Sequence, residues 1–169
     1  MPGSPRPPSA SSTVLTRWMG PADANSGGNV HGGVIMKLCD EAAGIASIRH
    51  CGSRVVTAGI DRMIFLEPVY VGNLVVCHAT VNAAWRTSVE VGVRVEAETV
   101  RTREVVHTLS AYLTMVALDD EGLPTLVPPV APESVLEERR SREAQVRRDN
   151  RLAERQVLAN ARRAAPAVR

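Results

Sequence analysis

The strongest constraint on the fold is a change of hydrophobic period near residue 54. Residues 30–50 place apolar side chains at the spacing of an α-helix, and their high alanine content makes most of the helix circumference apolar. From residue 54 the period becomes two, most clearly over residues 88–100, where valines alternate with polar or small residues. The sequence therefore predicts one buried helix followed by strands.

The predicted strands are rich in Val, Thr and Ile and end at Gly, Pro, Asn or Arg-Thr breaks. They are residues 14–19, 54–65, 74–85, 88–100 and 105–118. Together with one helix they predict an α+β fold with a mostly antiparallel sheet. One helix covers only one sheet face, and long sheet edges readily pair with other chains, so we expect a homo-oligomer.

The two ends of the chain differ in composition from the middle. Residues 1–11 are rich in Pro and Ser, which predicts a disordered tail before a domain at residues 12–130. Residues 131–169 form an extension in which a charged, Arg-rich helix is predicted over residues 133–163. A solvated helix is the favoured interpretation of this charge run. A nucleic-acid-binding arm is less favoured, because acidic residues are interleaved with the arginines.

Composition excludes several classes of function. Five aromatic residues in 169 cannot supply base-stacking platforms, so we expect no nucleic-acid partner. No apolar run reaches the roughly 18 residues of a membrane span, which predicts a cytoplasmic protein with no membrane partner. The three cysteines lack CxxC spacing and the histidines are scattered, so neither a disulfide framework nor a metal site is expected.

The candidate functional residues are concentrated around the start of the buried helix. Gly32 and Gly33 stand where the first backbone N–H groups of a helix have no intrahelical partner, so they could hold an oxyanion. The alternative is that these glycines only permit a tight turn. His31 suits an N-terminal helix position, and Asn25 is by itself an ordinary turn former.

Asp40 is the other notable residue, because a carboxylate within an apolar helix must be exposed, paired or retained for function. Its simplest structural partner is Lys37, three residues earlier. Neighbouring Cys39 points away from Asp40 on a helix, and a buried thiol is more often core than nucleophile.

The runs NVHGGVIMKLCDEAAGIASIRHC and VVTAGIDRMIFLEPVYVGN resemble the hot-dog-fold acyl-CoA thioesterases, particularly the cytosolic acyl-CoA hydrolase group. The resemblance covers roughly residues 14–130. It implies a curved antiparallel sheet around one helix, with dimers that assemble as trimers. It also implies hydrolysis of fatty acyl-CoA without a metal or cofactor, coenzyme A being part of the substrate.

The resemblance assigns roles to particular residues. Asp40 matches the catalytic carboxylate, as general base or nucleophile, and Asn25 matches the residue that positions water or the thioester, with the two contributed by different subunits of a dimer. A backbone N–H of Gly32 or Gly33 would polarise the carbonyl. The implied coenzyme A contacts are Arg54, Arg86, Thr87 and Ser88.

Two other functions are considered. A non-catalytic acyl-CoA-binding or structural hot-dog protein is the alternative, and the presence of both Asn25 and Asp40 argues against it. A hot-dog dehydratase fits poorly, because that chemistry usually pairs a histidine with an acidic residue at the site.

Overall fold

The centre of the fold is helix α1, Gly32–Cys51, in a computed structural model that describes residues 3–164. The helix begins where the His31 imidazole Nδ1 accepts a hydrogen bond from the Gly33 N–H at 3.0 Å, which confirms the predicted position of His31. It ends at Gly52, whose φ of 70° is the left-handed conformation typical of a helix C-terminus.

The strands form one sheet within residues 3–164. They are β1 (Thr13–Trp18), β2 (Arg54–Ile60), β3 (Asn73–Ala84), β4 (Ser88–Thr99) and β5 (Glu104–Leu118). All neighbours are antiparallel, in the order β1-β3-β4-β5-β2. Because α1 contacts all five of these strands, the sheet curls around the helix. The predicted α+β fold, with a curved antiparallel sheet and one central helix, is confirmed.

The core lies between α1 and the concave face of the sheet. Alternate residues of the three long strands are buried there, as the period of two predicts. They include Val75, Cys77, Ala79, Val81, Val89, Val91, Val93, Val95, Leu109, Ala111, Leu113 and Met115. On the helix, Ala42, Ala43 and Ala46 are fully buried, so their small side chains allow a close approach of sheet and helix.

Strand β2 is shorter than the predicted strand at residues 54–65. Its pairing with β5 shifts register between Thr57 and Gly59, and it ends at Ile60. The following segment stays near β5 through single hydrogen bonds, such as the one from the Leu66 N–H to a β5 carbonyl at 2.8 Å. β2 is therefore a short, irregular strand at one edge of the sheet.

The N-terminal segment differs from the predicted disordered tail. Arg6 forms a parallel bridge with Val130, and Pro8 and Ser11 are buried in and beside a short 3-10 turn. The Arg6 guanidinium donates to the His50 carbonyl at the end of α1, at 2.7 Å. These contacts order residues 3–11 without a hydrophobic core of their own, which composition alone does not predict.

The second helix, α2 (Val135–Ala164), packs on the convex face of the sheet. Ala144 is fully buried, and the Arg147 guanidinium lies 2.7 Å from the fully buried Glu90 carboxylate and 3.6 Å from the Tyr112 ring centre. The interpretation of a solvated helix is wrong for this part of α2. An ion pair docks the helix, and a buried ion pair is not visible in a linear charge pattern.

The large apolar side chains of this helix remain mostly accessible to solvent. Val135, Leu136, Val146 and Leu152 are exposed, from 45% to 79% of their surface. Residues 165–169, which belong to the predicted extension, lie outside the described residues. No helix within residues 3–164 has the length and apolar character to cross a membrane.

Candidate active site

The Asp40 carboxylate lies at the junction of α1 and the edge strand β2. Thr57 of β2 donates a hydrogen bond from Oγ1 to Asp40 Oδ1 at 2.5 Å. Asp40 is half-buried and Thr57 exposed, and Oδ2 of Asp40 has no hydrogen-bond partner among the described residues. The expected structural partner of Asp40, Lys37, forms a salt bridge with Glu41 instead, at 3.7 Å.

Thr57 is the polar residue that the sequence interpretation missed as a site residue. It occurs in the quoted run VVTAGID, but a lone threonine in a β-rich segment is an ordinary strand residue. The useful signal is its place on the first strand after the helix, because that strand lies against α1.

Asn25 lies in the loop before α1, and its side chain is exposed. Its Oδ1 accepts hydrogen bonds from the N–H groups of Gly27 at 2.8 Å and Asn29 at 3.3 Å. The residue therefore does form the turn expected of a loop asparagine. Its Nδ2 makes no hydrogen bond within residues 3–164, which leaves one amide donor for a ligand.

The two glycines at the helix start have different roles. The Gly33 N–H donates to His31 Nδ1, so in this structure it is already occupied by a helix-capping hydrogen bond. The Gly32 N–H makes no hydrogen bond to another residue in the described part of the chain. Only Gly32 keeps the free backbone donor that the helix N-terminus was expected to supply.

A cavity of about 320 Å³ opens beside this free donor. Its wall contains Asn25, Gly32 and Ile35, together with Phe65 and Leu66 from the segment after β2. Asn29 and Glu67 also line the cavity, so apolar and polar residues meet there, a combination that suits a polar carbonyl attached to an apolar chain.

Asn25 and Asp40 belong to different parts of this chain's surface. Asn25 bonds within its own loop, whereas Asp40 bonds to β2, and the two side chains share no hydrogen-bond partner within residues 3–164. Asp40 stands eight residues beyond Gly32, about 12 Å along the helix axis. Within one chain the two candidate residues therefore belong to separate hydrogen-bond networks, which we call the two candidate half-sites.

The predicted coenzyme A contacts gather at one end of the sheet. Arg54 of β2 pairs with Leu118 of β5, and Ser88 of β4 pairs with Val116 on the other side of β5. Thr87 is held there by its carbonyl, which accepts the Ala117 N–H at 3.0 Å.

The two arginines of this group carry unneutralised charge. Arg54 and Arg86 are exposed and form no salt bridge with another described residue. This end of the sheet therefore presents positive charge three residues along β2 from Thr57.

The prediction that Cys39 is a core residue is confirmed. Cys39 directly precedes Asp40 in the sequence, and its side chain is fully buried. A hydrogen bond with the Cys77 thiol, together with burial, raises the pKa of the Cys39 thiol, so it stays protonated at neutral pH.

Comparison with known proteins identifies the family. Residues 27–104 match the thioesterase superfamily. The chain is 40% identical over 131 residues to protein VdlD of Helicobacter pylori, with 78% of this chain and 75% of that protein covered. It is 36% identical over 154 residues to the uncharacterized acyl-CoA thioester hydrolase YkhA of Bacillus subtilis, covering 89% and 90%. The rat cytosolic acyl coenzyme A thioester hydrolase is also 36% identical, but the chain spans only 40% of its length.

Solved structures agree with these relatives. An apo hexameric acyl-CoA thioesterase superposes with a TM-score of 0.86 at 36% identity, covering 89% of this chain and 97% of that one. The acyl-CoA hydrolase of Staphylococcus aureus, in complex with butyryl coenzyme A and coenzyme A, superposes with a TM-score of 0.85 at 35% identity, covering 92% and 95%. Structures of that hydrolase include variants in which an aspartate, a threonine or an asparagine is replaced by alanine. The fold and these likenesses together show that the chain belongs to the thioesterase superfamily, as a hot-dog-fold acyl-CoA thioester hydrolase.

Proposed function

We propose that this hydrolase converts fatty acyl-CoA to free fatty acid and coenzyme A, with Asp40 at the centre of the chemistry. The observation that carries the proposal is the Asp40 carboxylate, held by the Thr57 hydroxyl at 2.5 Å on the exposed edge of the sheet. Thr57 binds Oδ1, whereas Oδ2 has no hydrogen-bond partner among the described residues, so we assign the reaction to Oδ2.

Asp40 can act in two ways, both consistent with this geometry. As a general base, Oδ2 takes a proton from water while the water oxygen bonds to the thioester carbon, and the carbon–sulfur bond then breaks. As a nucleophile, Oδ2 bonds to the carbon directly, and water hydrolyses the resulting anhydride. In both cases coenzyme A leaves as the thiolate and is protonated, and no redox step or cofactor is needed.

We assign the electrophilic side of the site to Asn25 and Gly32. The Asn25 Nδ2 and the Gly32 N–H are donors without partners in the described chain, and both border the 320 Å³ cavity. A donor aimed at the carbonyl oxygen stabilises the charge that develops there during attack. The apolar part of the cavity wall, including Phe65 and Leu66, would receive the start of the acyl chain.

We further propose that each site combines Asn25 of one subunit with Asp40 of another. The edge strand β2 and the segment that follows it carry a group of exposed apolar residues. They are Val56, Ile60, Ile64, Phe65 and Leu66. Pairing two β2 edges would bury them and place the two half-sites of neighbouring chains together. Hexameric relatives support a homo-oligomer, for which we propose a trimer of such dimers.

Residue spacing in the S. aureus variants supports the assignment. In that hydrolase the replaced aspartate follows the asparagine by 15 residues, and the threonine follows the aspartate by 17. Asn25, Asp40 and Thr57 have the same spacing. We therefore add Thr57 to the proposed site, as the residue that orients Asp40.

We assign the binding of the coenzyme A part of the substrate from the positive charge of the candidate residues. Arg54 and Arg86 are proposed to bind phosphate groups of coenzyme A, with Thr87 and Ser88 beside them. All proposed site residues lie within residues 12–130, which we take as the catalytic domain. The cytosolic relative supports a proposed cytoplasmic location.

The first experiment replaces Asp40 with asparagine, which is similar in size but cannot take the proton. Coenzyme A release should fall by about 10²- to 10⁴-fold, the usual contribution of a general base, while the folded oligomer persists. Turnover near that of the wild type in the folded variant would contradict the proposal.

A second experiment tests whether the site is shared. Asn25→Ala and Asp40→Ala subunits, each of low activity alone, are mixed and allowed to exchange. If the residues come from different subunits, a mixed dimer contains one intact site and activity returns. If no activity returns after verified exchange, both residues act within one chain.

A further inference from the structure

Helix α2 crosses the convex face of the sheet toward the β2 edge. Near β3, the Trp85 indole Nε1 donates to Gln145 of α2 at 2.9 Å. Six residues later, Arg151 Nη1 contacts Asp61, directly after β2, at 2.6 Å. Arg147, between them, meets Glu90 on β4. The helix therefore passes the strands in the order of the sheet and reaches its edge at Arg151.

The helix continues well beyond that edge. Residues 152–164 follow Arg151 in the same helix, and at about 1.5 Å per residue they extend roughly 20 Å further. We call these residues the overhang. From 152 to 163 their side chains are exposed, except that Ala159 is half-buried. A projecting helical segment of this length has little stability of its own without a surface to pack on.

The overhang has a face that continues the docked side of α2. At about 100° per residue, Leu158 and Arg162 lie within roughly 20° of Arg151 around the helix. A shallow groove of about 260 Å³ follows this face. Its walls are Arg151, Glu154, Arg155, Leu158, Ala159 and Arg162. The face therefore combines one apolar side chain with long side chains that can bend around a surface.

The angle at which the overhang leaves the sheet is set by a buried charge cluster. Glu90 is fully buried and contacts Arg147 at 2.7 Å and Arg151 at 3.4 Å. The Asn82 amide also lies 3.4 Å from Glu90, and Arg151 reaches on to Asp61. Removing either guanidinium would leave the buried Glu90 carboxylate with less neutralising positive charge, which is energetically costly. The two arginines therefore hold the helix against the sheet just before its edge.

We propose that the overhang is a clasp that packs on a second copy of this chain. Any copy that extends the sheet at β2 must lie directly beneath the overhang, because α2 crosses that edge. Val56 of β2 is exposed and pairs with Val116, whose neighbours Met115 and Ala117 face the core. Val56 therefore lies on the convex face, where Leu158 of a second copy can pack on it. The inference rests on the dimer proposed above, and adds the segment that secures it.

Two adjacent leucine and valine positions provide a matched test in the full-length protein. Leu158→Asp places a charge on the docked face, whereas Val157→Asp places the same charge about 120° away from Arg151. Subunit dissociation is followed by analytical ultracentrifugation over a dilution series. We expect Leu158→Asp to raise the dissociation constant about tenfold or more and Val157→Asp to leave it near the wild-type value.

Hydrogen exchange of the wild-type protein gives a second readout that no substitution can disturb. Amides of residues 152–164 should be protected in the oligomer and lose that protection on dilution to monomers. Fast exchange of these amides in the intact oligomer, or equal dissociation constants for both variants, would overturn the proposal.

Failure of the clasp is distinguishable from failure of the thioesterase site. Coenzyme A release is measured for Leu158→Asp at a concentration that keeps it oligomeric. If Leu158→Asp has wild-type turnover at that concentration and a wild-type dissociation constant, the clasp alone is rejected. A raised dissociation constant for Leu158→Asp alone, together with a wild-type protein that releases no coenzyme A, would instead reject the proposed function and keep the clasp.

Discussion

Replacing Thr57 with valine tests the contact on which the proposed chemistry depends. Valine keeps the branched shape of threonine and removes the hydroxyl that donates to Asp40 at 2.5 Å. A hydrogen bond to a charged group contributes about 1.5–3 kcal/mol. Thr57 is exposed and Asp40 half-buried, so we use the lower value of about 1.5 kcal/mol, which corresponds to roughly a tenfold loss of kcat.

The assay is the release of free coenzyme A at saturating acyl-CoA, with a thiol reagent as reporter. Thr57→Ser is the matched control, since it keeps the donor and should keep most of the activity. Thermal unfolding of both variants separates loss of function from loss of fold. If the folded valine variant turns over as fast as the serine variant and the wild type, Thr57 does not orient the reactive carboxylate and the reasoning fails.

Two further predictions concern stability. Arg6→Ala should lower the free energy of unfolding by about 1–3 kcal/mol in thermal or denaturant experiments, since the guanidinium caps carbonyls at the end of α1; no change would show that the N-terminal contacts are weak. His50 is fully buried, and desolvation lowers its pKa, so the unfolded chain binds more protons and the free energy of unfolding should decrease as pH falls below about 6.5. His50→Gln should flatten this dependence in denaturant titrations at pH 5.5 and 7.5, and an equal slope in both proteins would contradict it.

The N-terminal segment shows where composition misleads. Residues 1–11 contain too little apolar surface to fold alone. In the structure, residues 3–11 form no core of their own. They are ordered through backbone pairing with residues 129–131 and through Arg6. Deletion of the segment is therefore expected to weaken the domain, since a disordered tail would make no such contacts.

Helix α2 shows the corresponding limit for charge patterns. Its arginines and acids predict a helix correctly, because intrinsic propensity and charge spacing are local properties. The pattern does not show that Glu90 lies under Arg147, since that contact joins residues 57 positions apart. The favoured solvated interpretation failed for this reason.

The sequence by itself determined the fold class, the helix and the approximate strands, because the hydrophobic periods of helix and strand follow from backbone geometry within each segment. It also marked Asp40 and Asn25 through a family resemblance. Only the tertiary structure decided that Thr57 holds Asp40, that Gly33 is capped by His31 while Gly32 stays free, and that α2 passes the sheet edge. Those contacts depend on how α1, β2 and α2 align with one another, and periodicity gives the buried face of an element but not its register against another.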